Sequence, residues 1–450
     1  MRIIIISILV SGLTYAQGFL HNMNGEVVDG NGEPILLRGF GLGGWLVPEG
    51  YMLHNQAWIE GFESPTDIEN HVIDLIGQDA ATDFWNLYRA NYVAQADIDK
   101  IAEWGFNHIR VPFHYKQFYD STGTETPIGY GIVDELISWC EPHNIYIILD
   151  MHSAPGAQNG GPISDSDGIA RLWLEDSYKE LTIQIWKEIA TYYSDHTLIA
   201  GYDLINEPVL PGGVTLQEFK QLYIDITEAI REVDNNHLIW IEGNWYGTDF
   251  SGLTPPWDTN MVYSPHKYWS KNFQADIQWV LDIRNTWNVP LWFGESGENS
   301  NTWYRNAIRL IEDFDIGWAW WPMKKLESIN CPMSITKTTD FQNLLNYWEN
   351  GTNAPTTASA INTLSQLTED LKLENCTYQK GVTDAMFRQI YSDETVPYDS
   401  IHSIPGRVYA SDYDMGVVGE AYYDNVVSDF HVTTGTYTAW NSGWMYRNDG

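Results

Sequence analysis

Positive charge is scarce in this chain. Its 450 residues carry 24 Lys and Arg against 60 Asp and Glu, a formal net charge of −36. That balance excludes a nucleic-acid partner or an anionic membrane surface, because phosphates are held by Lys and Arg. Cysteine is rarer still, with three residues and no CxxC or His/Cys cluster of a structural metal. Cys140, in the apolar segment "VDELISWCEPHN", reads as a core residue, whereas Cys331 and Cys376 are candidates for a bridge that the sequence leaves open. Beyond the leader, no apolar run approaches the roughly 18 residues of a membrane span. Phosphate-cradling turns are missing too: neither GxGxxG nor GxxxxGK[ST] follows the first strand. The GxSxG elbow is absent, "GESG" carrying Glu where that motif has Ser, which disfavours a serine hydrolase.

The leader "MRIIIISILVSGLTYAQGFL" has one Arg, a short apolar stretch and a small-residue exit at Ala16. Residues 1–16 therefore read as a secretory signal peptide. Gln17 rather than Cys follows the cut, which disfavours a lipoprotein. The mature chain is expected to be exported, outside the cell or into a periplasm, and to act as a monomer. What the chain has in plenty is aromatic residues, 14% with 21 Trp, which serve both as core and as flat platforms for neutral sugars.

Strand-like and helix-like segments alternate. Eight near-continuous apolar runs, at 34–41, 106–113, 145–152, 199–206, 237–243, 260–266, 290–296 and 316–321, read as parallel strands buried on both faces. Between them lie amphipathic helices: Phe219, Leu222, Tyr223, Ile226 and Ile230 form one stripe, and Leu181, Ile185, Trp186 and Ile189 another. This is the pattern of an α/β fold, a (β/α)8 TIM barrel, with a doubly wound open sheet as the alternative. Residues 42–105 form a long stretch, Trp- and Gly-rich at its start, expected to hold an extra loop over the barrel mouth before the first helix. Residues 17–395 are read as one domain, ending in helices after strand eight. "SDSDGIA" (164–170) lacks the distal Glu of an EF-hand and reads as a helix-start turn.

In such barrels the chemistry sits at the C-terminal strand ends. There the chain carries Arg110, His152, Asn206, Glu207, His266, Tyr268, Glu295 and Trp321. Any one of these alone reads as a cap, an ion pair or a core histidine; eight on one face read as a site. Two carboxyl groups across a pocket suit glycoside hydrolysis. Glu207 is the candidate acid, its pKa expected to be raised by burial. Glu295 is expected to stay ionised beside Arg110 and Tyr268, with Asn206 holding a sugar hydroxyl and Trp321 offering a ring. No cofactor or catalytic metal is required.

These motifs, "HIRVPF", "DMHSAPGAQNG", "LINEP", "HKY", "FGES" and "WAWWPMK", occur in the order of glycoside hydrolase family 5, which the chain resembles over about residues 19–330. The resemblance implies a retaining mechanism with Glu207 as acid/base, Glu295 as nucleophile, Trp321 stacking on sugar, and a polysaccharide such as a β-1,3- or β-1,4-glucan as substrate. "LRGFGLGGWLVPE" is similar to the opening of the exo-β-1,3-glucanases, which implies that Glu49 binds the terminal sugar; the spacing of Trp321 and Lys324 agrees. After strand eight, "LESINCPMSITKTTDFQNLLNYW" departs from that group. A mannanase or other hemicellulase is the alternative activity, and a non-catalytic polysaccharide-binding barrel the alternative class.

From about residue 399 the composition becomes Gly- and Tyr-rich, which implies an all-β module over 399–450. From Ile404 it resembles the start of a family 6 carbohydrate-binding module, a β-sandwich that usually has Glu where this chain has Ser411; no metal is assigned. Half a sandwich would leave unpaired strand edges, so the chain is read as a fragment of a longer protein.

Overall fold

The computed structural model describes residues 18–54, 59, 61–120, 123–268, 270–399, 405–423 and 447–449. The leader read at 1–16 lies outside the described residues, as do Ile404 and most of the tail beyond it.

All eight expected strands form: β1 (Arg38–Gly41), β2 (His108–His114), β3 (Tyr146–Ser153), β4 (Ile199–Asp203), β5 (Leu238–Ile241), β6 (Met261–Tyr263), β7 (Trp292–Gly297) and β8 (Gly317–Trp321). They pair in the order β6-β5-β4-β3-β2-β1-β8-β7, and the last neighbour of β7 is a short strand, His266–Lys267. That segment is the continuation of β6, so the two ends of the sheet are one stretch of chain. Glu295 pairs with His266, and lower down the Tyr263 amide donates to the Pro290 carbonyl at 3.0 Å. The parallel sheet is thereby curled shut as a barrel.

Strand alternation explains why a barrel core ends in charges. Tyr146, Ile148, Leu238, Trp240 and Trp292 belong to one apolar cluster, with Trp292 edge-on to both Trp240 and His108. Two residues further along each strand the same face presents Asp150 and His152, Glu242, and Arg110. The barrel interior is thus greasy below and ionic at its C-terminal mouth.

The outer helices follow their sequence patterns. Helix Leu216–Arg231 starts at Thr215, whose hydroxyl accepts from the Glu218 amide while Glu218 reaches back, and it buries Phe219, Leu222, Tyr223, Ile226 and Ile230. Helix Asp176–Tyr193 buries Ile185, Trp186 and Ile189.

The 42–105 stretch is mostly helical. It folds into helices Gly50–His54, Pro65–Ile76, Gln78–Tyr92 and Gln95–Trp104. Ser64 caps the second of these by accepting from the Asp67 amide, with Pro65 at the first turn, and Ile68, Val72 and Ile76 form its buried stripe. After β8, helices Thr339–Asn350 and Thr357–Asp370 form as read. A three-stranded sheet of Lys324–Leu326, Met333–Ile335 and Thr377–Tyr378 also forms, which the sequence pattern did not signal. "SDSDGIA" opens no α-helix; it leads to the 3-10 turn Arg171–Trp173, and Asp165 pairs instead with His114 and Lys116.

Cys140, Cys331 and Cys376 are free thiols, and Cys140 is buried as expected. Among the described residues no helix is long and apolar enough to cross a membrane. In the tail, residues 405–423 contribute bends and isolated bridges such as Val418 with Tyr422. The β-sandwich expected over 399–450 falls largely outside the described residues.

Candidate active site

Arg110 organises the mouth of the barrel. It projects from β2, fully buried, and its guanidinium meets four carboxylates: Nε with Asp203 at 3.0 Å, Nη2 with Glu242 at 2.7 Å and Asp150 at 3.2 Å, and Nη1 with Glu295 at 2.8 Å. Nη2 also donates to Asn206 Oδ1 at 2.9 Å. A buried cation is tolerated only when paired and hydrogen-bonded, and every arm of this one is. Burial and the Glu242 charge push the Asp203 carboxyl well above its usual range. Asp150, Asp203 and Glu242 are close enough to hold a cation between them; the guanidinium fills that role.

Glu295 lies above this layer. Arg110 holds its Oε2, and the Tyr268 hydroxyl donates to its Oε1 at 2.6 Å. Burial raises its pKa and Glu207 adds to the rise, while His266, Arg110 and His152 pull it back down. The balance is upward, because desolvation at the barrel mouth outweighs the nearby cations.

Glu207 follows β4 in the left-handed region, with φ of +45°, a conformation that bulky residues adopt only where the surroundings force it. Here its amide donates to Glu242 Oε2 at 2.7 Å, and Asn159 donates to its carbonyl at 2.9 Å. The side chain meets His266 Nδ1 at 2.8 Å, and His266 Nε2 lies 3.2 Å from Glu242. Burial alone would lower the His266 pKa, yet the Glu242 and Glu295 charges raise it well above the ordinary value, and the ring stands between the two carboxylate layers. Ligand atoms of Glu207, His266 and Glu295 all lie within 4.8 Å of one another.

The opposite wall is closed. Glu49 is 2% exposed, and its Oε1 is 3.8 Å from His152 Nε2 with no hydrogen-bond partner among the described residues. Burial, and then the charges of Glu295, Glu298 and Glu207, raise Glu49 to about 8 against the pull of His152. Burial opposes the charge on His152, but Asp150, at 2.8 Å from Nδ1, and Glu49 lift it to about 9. The Trp321 ring stacks on His152 at 5.3 Å and its Nε1 donates to the Tyr51 hydroxyl at 2.8 Å. Gly43 lets that ring approach: a Cβ there would sit 2.4 Å from the indole. Behind it Lys325 pairs with Glu298 at 2.6 Å and lies over the Tyr51 ring.

The structure thus brings together Glu49, Arg110, His152, Asn206, Glu207, His266, Tyr268, Glu295 and Trp321. Lys324 is a correction. It points away, buried against Asp97 at 2.5 Å and the carbonyls of Tyr92 and Leu371. Successive residues of a strand face opposite ways, so it is Lys325 that reaches the wall. Sequence reading missed Asp150, Asp203 and Glu242 although each is an acid inside a fully apolar run, the very signal of a buried pair. Tyr51, Glu298 and Lys325 carried no such signal.

A closed parallel barrel with paired carboxylates at its C-terminal mouth defines a class of sugar-processing scaffold. Residues 67–326 match the cellulase family, glycosyl hydrolase family 5, and the chain belongs to that family. It is similar to a β-xylosidase of Phanerodontia chrysosporium, 33% identical over 257 residues that cover 56% of this chain and 52% of the relative. The chain thus spans about half the length of that relative. It is also similar to endoglucanase C of Acetivibrio thermocellus, at 24% identity over 52% of this chain and 85% of that protein. The solved rutinosidase of Aspergillus niger shares the fold, with a TM-score of 0.54, 19% identity, and coverage of 65% of this chain and 90% of that one.

Proposed function

We propose that the protein is a retaining glycosidase acting on β-linked glucan. Glu295 attacks the anomeric carbon as Glu207 protonates the departing oxygen; the carbon–oxygen bond breaks and a glycosyl ester forms on Glu295. Glu207 then takes a proton from water, which displaces the ester and restores both carboxyls. The observation that carries this is the spacing: carboxylate oxygens of Glu207 and Glu295 within 4.8 Å, as retention requires, whereas inversion needs a gap of about 6.5–9.5 Å for water.

Several finer readings accompany it. The LGGWL-x-x-E opening and the buried, unpartnered Glu49 oxygen support a pocket that grips the chain end, hence exo action on β-1,3-glucan. The name of the β-xylosidase relative supports including xylosides among the sugars tried, alongside mannan. The tail is read as a sugar-binding module of the family 6 type, and the leader as a signal for export.

The direct test is incubation with 2-deoxy-2-fluoro-β-glucosyl fluoride and mass spectrometry of the digest. A stable adduct on the peptide bearing Glu295 is expected; an adduct elsewhere overturns the assignment of nucleophile. The product profile on laminarin, carboxymethyl-cellulose, mixed-linkage glucan, mannan and xylan reads the substrate. Glucose alone from laminarin means a closed pocket; a ladder of oligosaccharides means an open cleft.

A further inference from the structure

One crossover of the barrel lacks its helix. Every other connection between successive strands carries at least one helix. After the single turn Asn244–Gly247, however, the β5–β6 chain runs down the flank to Asn260 without one. Phe250 and Leu253 fill the gap from the inside and are buried. On the outer side the neighbouring helix, Gln274–Trp287, turns toward this gap a stripe that no helix covers. Trp279, Asp282, Ile283, Thr286 and Trp287 follow the i, i+3, i+4, i+7, i+8 spacing of one helix face. All five line a groove of about 330 Å³ against residues 248–254. The helix ends just before Pro290, at the lower rim where the Tyr263 amide is bonded, so the groove lies on the flank, below the mouth that holds Glu207 and Glu295.

The chemistry of the groove selects its occupant. Trp279 is 38% and Trp287 39% exposed, although large rings at this spacing ordinarily form a buried face. Trp279 leans on Phe250, ring centroids 5.9 Å apart, and Phe250 packs on Tyr263 of β6 at 5.5 Å. Its ring is therefore fixed to the barrel itself. The two Trp lie about 12 Å apart along the helix axis, the length of a short run of sugars rather than of one. Asp282 and Thr286 stand between them, with Asp249, Ser251 and Thr254 opposite, and no Lys or Arg lines the groove. Carboxylates and hydroxyls accept hydrogen bonds from a neutral polyol, whereas the two acids repel an anionic chain. A protein helix filling the gap would meet an aliphatic stripe, and Ile283 is the one aliphatic side chain in the lining.

We propose that this groove is a second, non-catalytic carbohydrate site, which holds a strand of neutral polysaccharide on the barrel flank. The two indoles take the apolar C–H faces of sugars along the strand, and Asp249, Asp282 and the neighbouring hydroxyls take its hydroxyl groups. The site goes beyond the glycosidase reading and uses neither Glu207 nor Glu295. Its effect is confined to long chains, because a short oligosaccharide that fills the mouth does not reach the flank.

The experiment uses the full-length chain carrying Trp279→Ala and Trp287→Ala together. It reads migration in native gels cast with a neutral polysaccharide (laminarin, mixed-linkage glucan, mannan or xylan), beside kcat/KM on a short oligosaccharide. With the polysaccharide that retards the wild type most, the double variant should bind about tenfold more weakly, the size of two lost ring contacts. Its oligosaccharide kinetics should match the wild type. Trp287→Ala alone, which leaves the Trp279–Phe250 contact in place, should weaken binding roughly threefold and serves if the double variant fails to fold. Equal retardation of variant and wild type overturns the site, as does a wild type that no neutral polysaccharide retards. An equal loss in oligosaccharide hydrolysis also overturns it, by placing the rings at the mouth. So does a wild-type dimer that the variant loses in sedimentation, which assigns the stripe to a protein contact. A wild type that hydrolyses no glycan yet is retarded through Trp279 and Trp287 leaves the flank site standing and overturns the glycosidase reading instead.

Discussion

The barrel mouth carries two layers of carboxylates held in opposite ways. Asp150, Asp203 and Glu242, in the lower layer, are wholly buried and engage Arg110, His152, His266 and the Glu207 amide. Glu207 and Glu295, in the upper layer, keep one side toward the open mouth. Charge in the lower layer is sealed from solvent; it fixes Arg110 and His266, which in turn hold Glu295 and Glu207. In the proposed reaction the upper pair reacts within the rigid frame that the lower set supplies.

If this division is right, variants in the two layers fail differently. Glu295→Gln should lower kcat by at least about 10⁴-fold while the melting temperature stays near that of the wild type; a variant of normal activity would falsify the assignment of the nucleophile. Arg110→Met strands several buried acids and should cost about 3–5 kcal/mol of stability, read by denaturant unfolding. A soluble Arg110→Met protein unfolding at the wild-type midpoint would erase the distinction between the layers.

Smaller changes sharpen it. Tyr268→Phe removes a donor from the ionised form of Glu295, so its pKa rises further and the acid limb of kcat/KM moves to higher pH, with a loss of roughly tenfold or more on that limb. An unmoved limb would mean that another group sets it. Glu49 is raised from 4.5 to about 8, so the folded state binds its proton more tightly than the unfolded chain. Its contribution to stability is present below about 4.5 and lost as pH rises through about 8. Glu49→Gln should flatten the fall in melting temperature over that window by a few degrees; parallel curves for both proteins would show that Glu49 is ionised throughout.

Much of this was legible in advance. Apolar runs located all eight strands, and reading polar residues at their ends located most of the site. The helical stripe of Phe219, Leu222, Tyr223, Ile226 and Ile230 was an equally local signal. The 42–105 segment was legible only as a long stretch with a Gly- and Trp-rich opening; the stripe of Ile68, Val72 and Ile76 that places a helix in it emerged with the structure. Lys324 was misassigned because motif spacing counts residues but does not say which face of a strand a residue takes.

By itself the sequence determined the order of strands and helices and which residue types stand at the strand ends, since both are set by periodicities within a few residues. Only the tertiary structure decided that one guanidinium joins Asp150, Asp203, Glu242 and Glu295, and that Lys325 rather than Lys324 reaches the pocket wall. Arg110 and Glu295 are 185 residues apart in the chain. Closing the barrel brings them within hydrogen-bonding reach, and the low dielectric it creates turns ordinary acids into a coupled site.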